Sequence, residues 1–454
     1  MRCLPLALFC ALLSFGATRS PDVPFKAQLI DGGASETAAV ADVNRDGRLD
    51  IISGEHWYEA PRPGSNGPAW TKHKFRELNY TSNYYDNFSD LPVDVDGDGY
   101  PDLVRVTWFA KKISWWRNPG TSTGKVRPTG TPGAGPSRGV FAGVTIGLAD
   151  PEWQESDIHT GFNIEFAILA DMDNDGNANE IVAQENGTPQ AWYEAKNGAW
   201  IAHVVSDKSY GHGIGAGDVN GDKRADILTP RGWLEAPADP RAEHWAFHAD
   251  WETLNVPLPP AGAPATSAAP GPSTPQLLEL GFMHVMDVNG DGRNDVVAGA
   301  GHNYGVFWFE QGANGQWTRR TIDNSWSQAH ASTLVDLNGD GRLDLVTGKR
   351  FMAHNGSDPG EKEPLGVYWY ESAGAPTPGS ASASQSATPP NASARQVEWI
   401  KHVIDYGGRM GGGMQLPVVD IDGDGDLDIV CPGKSGLFFV ENLTKGPDNR
   451  ANKH

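Results

Sequence analysis

One nine-residue pattern, Asp-x-Asn/Asp-x-Asp-Gly-x-x-Asp, recurs seven times, starting at Asp42, Asp94, Asp171, Asp218, Asp287, Asp336 and Asp420. Each copy runs into a short apolar stretch such as Asp50-Ile51-Ile52 or Asp344-Leu345-Val346. A second signature follows, seen as Trp57-Tyr58-Glu59, Trp192-Tyr193-Glu194, Trp308-Phe309-Glu310 and Trp369-Tyr370-Glu371. A third is an aromatic-led strand of the type Trp399-Ile400-Lys401-His402-Val403-Ile404-Asp405. Each unit therefore reads as four short strands, with the acidic loop joining the first to the second. Short strands at this spacing, with Gly-rich turns, predict an all-β seven-bladed β-propeller with four antiparallel strands per blade. After Phe439-Val440-Glu441 no fourth strand follows, whereas Phe25–Asp31 aligns with Trp399–Asp405. The N-terminal strand is expected to complete the last blade, closing the ring and removing exposed edges.

Residues 1–20 read as a signal peptide. Arg2 is the charged start, Leu4 to Phe15 the apolar stretch, and Gly16, Ala17 and Ser20 the small residues that follow. That stretch is too short to span a bilayer, and no later segment is long and apolar enough to do so. A secreted, periplasmic or extracellular location is expected, with no membrane span. A single propeller is expected over 21–445 and a disordered tail over 446–454. The segments 118–140, 256–276 and 373–395 are rich in Pro, Gly, Ser, Ala and Thr and read as surface loops. With Cys3 and Cys10 inside the leader, only Cys431 remains, so no internal disulfide can staple the fold. A net charge of −21 disfavours nucleic acid and anionic membranes as partners.

The acidic loops supply a different staple. Oxygens at positions 1, 3, 5 and 9 can wrap a hard cation, and Gly at position 6 permits the positive φ of the turn. The expected calcium ligands are Asp42, Asn44, Asp46 and Asp50; Asp94, Asp96, Asp98 and Asp102; Asp171, Asp173, Asp175 and Asn179; Asp218, Asn220, Asp222 and Asp226; Asp287, Asn289, Asp291 and Asp295; Asp336, Asn338, Asp340 and Asp344; and Asp420, Asp422, Asp424 and Asp428. Up to seven Ca²⁺ are expected, in a structural role. The EF-hand is excluded, because position 12 holds no Glu and the flanks are strands. Two copies depart from the pattern. The third ends in Asn179, one carboxylate short, and the fourth has Lys223 in place of Gly.

The motif and its spacing resemble the FG-GAP/VCBS repeat family, which includes the integrin α-subunit propeller. The resemblance covers residues 25–443 and implies calcium in the loop between the first and second strands.

Function is sought where the repeat breaks. His73, His203, His248 and His402 share one strand register and read as structural. His56, His159, His212, His284, His302, His330 and His354 fall near one rim of the ring. Six residues before each acidic loop stand Glu36, Phe88, Glu165, His212, Gly281, His330 and Met414. Two His and two Glu in one ring position are no packing pattern, and they suggest a polar cluster at the channel mouth. The candidate catalytic set is His212, His330, His284, Glu165, Arg231 and Lys349. Two chemistries fit. His212, His330 and Glu165 can hold Zn²⁺ or another divalent ion. Alternatively a neutral His serves as general base while Arg and Lys neutralise an enolate.

The combination of the acidic loop, the Trp-Tyr-Glu strand and the Trp-x-Lys-His-x-Ile-Asp strand also resembles the propeller domain of fungal aldos-2-ulose dehydratase and related secreted bacterial propellers. That resemblance implies a lyase or dehydratase acting on a keto-sugar, with a carbohydrate or small molecule as ligand and Trp108 and Trp326 as stacking surfaces. The alternative is a non-catalytic glycan- or protein-binding adhesion module. A quinone-dependent sugar dehydrogenase is a third reading, without a cofactor motif to support it. No nucleophile elbow or phosphate-binding loop is present.

Overall fold

The structure is a computed structural model that describes residues 22–33, 35–62, 70–120, 140–141, 144–146, 152–187, 189–196, 199–257, 260–261, 277–373 and 397–445. The expected signal peptide, the C-terminal tail and all but the ends of the three spacers lie outside these residues. Every regular element described is a strand. Among the described residues no helix is long and apolar enough to cross a membrane.

The fold is an all-β propeller, but not one of seven separate four-stranded blades. Hydrogen bonding divides the strands into four sheets of four, one of six, one of eight and a two-stranded ribbon. The expected seven-bladed count is corrected by this pairing, and two physical causes stand behind it. The strand Ile214–Gly217 pairs in parallel with Leu280–Met286, through Ile214↔Phe282 and Gly215↔Met283, and so joins two units into one sheet. Gly215 makes this approach feasible, since a Cβ there would lie 2.3 Å from the Met283 carbonyl oxygen. In the six-stranded sheet, Val144–Ile146 pairs in parallel with Trp70–Lys74 and extends the first unit outward.

The chain ends meet. Phe25–Asp31 pairs antiparallel with Leu437–Asn442, from Phe25↔Asn442 to Asp31↔Leu437. Apolar clusters fill the space between neighbouring sheets; one joins Val104, Phe166, Val182, Trp192 and Leu234, all fully buried.

The recurring Trp, Glu and His form one packing unit. His73, His203, His248 and His402 stack on Trp57, Trp192, Trp233 and Trp369 at 3.9–4.3 Å between ring centroids. The same imidazoles bond Glu59, Glu194, Glu235 and Glu371 at 2.8–3.2 Å. These four His are structural, and the rim His remain to be explained.

Candidate metal centre and acidic loops

The first six acidic loops share one local geometry, in which the position-1 carboxylate accepts the position-6 N–H. In the first, Asp42 accepts the N–H groups of Asp46 and Gly47, both at 2.9 Å. Asp50, at position 9, is fully buried and accepts from Val43 and Ala60. Burial pushes the carboxyls of Asp50, Asp226, Asp295, Asp344 and Asp428 up to about 7, against the pull of these backbone bonds. The position-9 side chain thus latches the loop to the strands behind it, while positions 1, 3 and 5 are at least partly exposed in every loop but the fifth and seventh, where Asn289 and Asp424 are buried. Ligand oxygens of Asp94, Asp96 and Asp102, and of Asp420, Asp422 and Asp428, lie within 4.8 Å of one another.

The two irregular copies keep this geometry. Lys223 adopts φ +71, so the fourth loop turns like the others, and its N–H donates to Asp218. In the third loop the latch is Glu180 rather than Asn179. Its carboxylate accepts the Met172 N–H at 2.9 Å and groups with Asp171 and Asp173. The carboxylate missing at Asn179 is therefore supplied one residue later, by a longer side chain. Replacing Glu180 with Ala orphans a buried N–H, and is expected to cost about 1–3 kcal/mol in chemical denaturation, with Asn179→Ala near neutral.

At the opposite rim, the strand that carries Glu165 and the loop residues His212 and His330 bring three of the expected residues together. His302, placed on the rim by sequence but not among the expected ligands, completes the set. Ligand atoms of Glu165, His212, His302 and His330 all lie within 4.8 Å of one another. His302 Nε2 lies 3.2 Å from His212 Nε2 and 3.3 Å from His330 Nε2. Glu165 Oε2 lies 2.8 Å from His212 Nε2.

Outer partners fix two of the three rings, while His330 Nδ1 is buried without one. His212 Nδ1–H donates to the Leu280 carbonyl at 2.8 Å, and His302 Nδ1–H donates to Asp358 at 2.7 Å. Glu165 accepts from Arg350 Nη1 at 2.7 Å, and the same guanidinium forks onto Glu36 at 2.9 and 3.1 Å. Burial alone would raise the Glu165 carboxyl, but His212 and Arg350 hold it well below the usual carboxylate range. Burial works to lower His212, and Glu165 reverses the sign and raises it. Burial and Arg350 push His330 far down, and burial lowers His302 against the pull of Asp358. Two neutral imidazoles and a carboxylate are ready-made ligands, and the His212 proton is the one an ion would displace.

A cleft of about 600 Å³ opens beside the cluster, lined by His212, His302, Arg231, Glu252, Glu279 and Tyr210 among others. Arg231 lies in this cleft and pairs with Glu252 at 2.5 Å. The other two expected catalytic residues stand apart. Lys349 is buried and donates to Ser327 Oγ, the Ser327 carbonyl and the Gly360 carbonyl at 2.7–3.3 Å. All three of its protons are thereby committed, although burial lowers its pKa to about 8. His284 sits deeper, in a cavity of about 450 Å³ between the inner strands, bonded to Ser332 Oγ at 2.8 Å. Burial lowers its pKa to about 4. Trp326 is a core residue that donates to Tyr370 Oη, which removes it as a stacking surface.

Two segments, residues 171–229 and 287–347, match the FG-GAP-like repeat family. Solved structures similar to the chain include BBS1N in complex with ARL6DN, soaked with mercury. It has 10% identity and a TM-score of 0.48, and the match covers 93% of this chain and 96% of that one. The lead-soaked form of the same complex gives 10% identity and a TM-score of 0.47 over the same shares. No curated protein matches the chain. The chain carries FG-GAP-like repeats in these two segments of its all-β propeller.

Proposed function

We propose that this chain is a secreted, calcium-stapled propeller with a mononuclear transition-metal centre on Glu165, His212, His302 and His330. It would act as a metal-assisted carbon–oxygen lyase on a carbohydrate held in the adjoining cleft. The observation that carries the metal centre is the pair of Nε2 separations, 3.2 and 3.3 Å. Zn–N bonds of about 2.0–2.1 Å in a tetrahedron put two nitrogens about 3.3 Å apart. The outer nitrogens of His212 and His302 and the outer oxygen of Glu165 are held by Leu280, Asp358 and Arg350, the arrangement that orients metal-binding imidazoles and carboxylates. A bound ion would polarise a carbonyl or hydroxyl oxygen of a ligand in the cleft. His212 and His302 line that cleft, while His330 is fully buried behind them.

The adhesion-module reading draws on the repeats alone and gives the convergent imidazoles no role. Metal analysis of the purified protein separates the two. The expected result is about one zinc or similar ion per chain beside several calcium ions, with the zinc lost in His212→Ala/His330→Ala. Calcium alone, with no transition metal retained or taken up, would sink the metal centre and leave the binding module.

A further inference from the structure

The deep cluster uses only one edge of His302, and its other edge belongs to a second group of ligands nearer the solvent. Asp358 is shared between two imidazoles: Oδ2 is 2.7 Å from His302 Nδ1, and Oδ1 is 3.0 Å from His354 Nδ1. The two rings stack with centroids 4.0 Å apart and planes within 5°. Their Nδ1 edges therefore face one carboxylate from the same side. All three ligand atoms lie within 4.8 Å of one another.

This trio is built rather than fortuitous. Glu361 is 1% exposed, and its carboxylate accepts the N–H groups of both His354 and Asp358. It pins the backbone that carries two of the three ligands. The side chain of His354 is 52% exposed, so the remaining coordination positions open to water.

We propose that His354, Asp358 and His302 form a second, weaker divalent-metal site, coupled to the deep centre through the His302 ring. The proposal rests on the reading of the deep cluster as a metal centre. Two imidazole nitrogens and a carboxylate suit zinc, copper or nickel rather than calcium. The sites are coupled because His302 offers Nε2 inward and Nδ1 outward. With the deep ion alone, Nδ1–H donates to Asp358. The outer ion takes Nδ1 only when that proton leaves, so the second ion binds more weakly than the first.

The test is zinc titration of metal-free protein against a chromogenic chelator, in excess calcium to occupy the acidic loops. Wild-type protein takes up two zinc equivalents, the second at least about 10-fold weaker. His354→Ala removes the weak equivalent and keeps the tight one, His330→Ala does the reverse, and His302→Ala loses both. His354 is exposed, so its variant folds, and Asp358→Asn offers a second route to the same loss. A single equivalent in wild type, or two in His354→Ala, overturns the outer site and leaves the deep centre standing. No zinc at all overturns both.

Discussion

Removal of calcium with a strong chelator is expected to lower the melting temperature by about 10 °C or more, and added calcium to restore it. The acidic loops set the size of the effect. Each gathers three or four carboxylates, and in the second and last loops three of them lie within 4.8 Å of one another. Like charges at such separations repel, and the position-9 carboxylates are also buried, which further disfavours their charged form. A divalent cation offsets both costs. Binding to the native state alone contributes about 2.7 kcal/mol per site at 100 times the dissociation constant, and several sites act together. Among the described residues no disulfide shares this role, since Cys431 is a free, buried thiol. Scanning calorimetry in chelator, then with calcium or magnesium returned, is the check. Magnesium should restore less, because its small octahedral shell suits these wide loops poorly. An unchanged melting temperature in chelator would remove the staple.

Much of this architecture could be read from the sequence, because the repeats mark strands through side chains that pack the same way in each unit. The Trp, Glu and His of the third and fourth strands are one example, and the N-terminal strand Phe25–Asp31 beside Leu437–Asn442 is another. The sheet count was not legible. It turns on backbone approach between units, as where Gly215 meets Met283, and periodicity carries no record of that. The ring position before the acidic loops did find Glu36, Glu165, His212 and His330, since one register on the inner strands maps to one height in the channel. His284 lies three residues from its loop rather than six, and sits correspondingly deeper. His302 escaped the ligand set because it follows a second strand, outside that register. Arg350, Asp358 and Glu361 belong to a loop whose path no repeat dictates. Their signal was the density of charged and His residues between Lys349 and Glu363.

The sharpest expected effect at the proposed metal centre comes from a residue with no side chain. A Cβ on Gly301 would lie 3.3 Å from His212 Cε1, 3.4 Å from His330 Nε2 and 3.4 Å from the Glu279 carbonyl. Gly301 is not among the glycines with positive φ, so alanine fits its backbone without strain. The added methyl must therefore push two of the imidazoles apart by a few tenths of an ångström. Metal sites tolerate ligand displacements of about 0.2 Å. Gly301→Ala is thus expected to weaken zinc binding by about 10- to 100-fold, the range seen when ligand orientation is disturbed. Its melting temperature in excess calcium should stay close to wild type. Gly433→Ala is the matched control, since its Cβ would meet nothing nearer than Ser435 Oγ at 3.7 Å. Competition titration of zinc reads both variants. Equal affinity in Gly301→Ala and wild type would mean that no ion sits among His212, His302 and His330, whatever their geometry suggests.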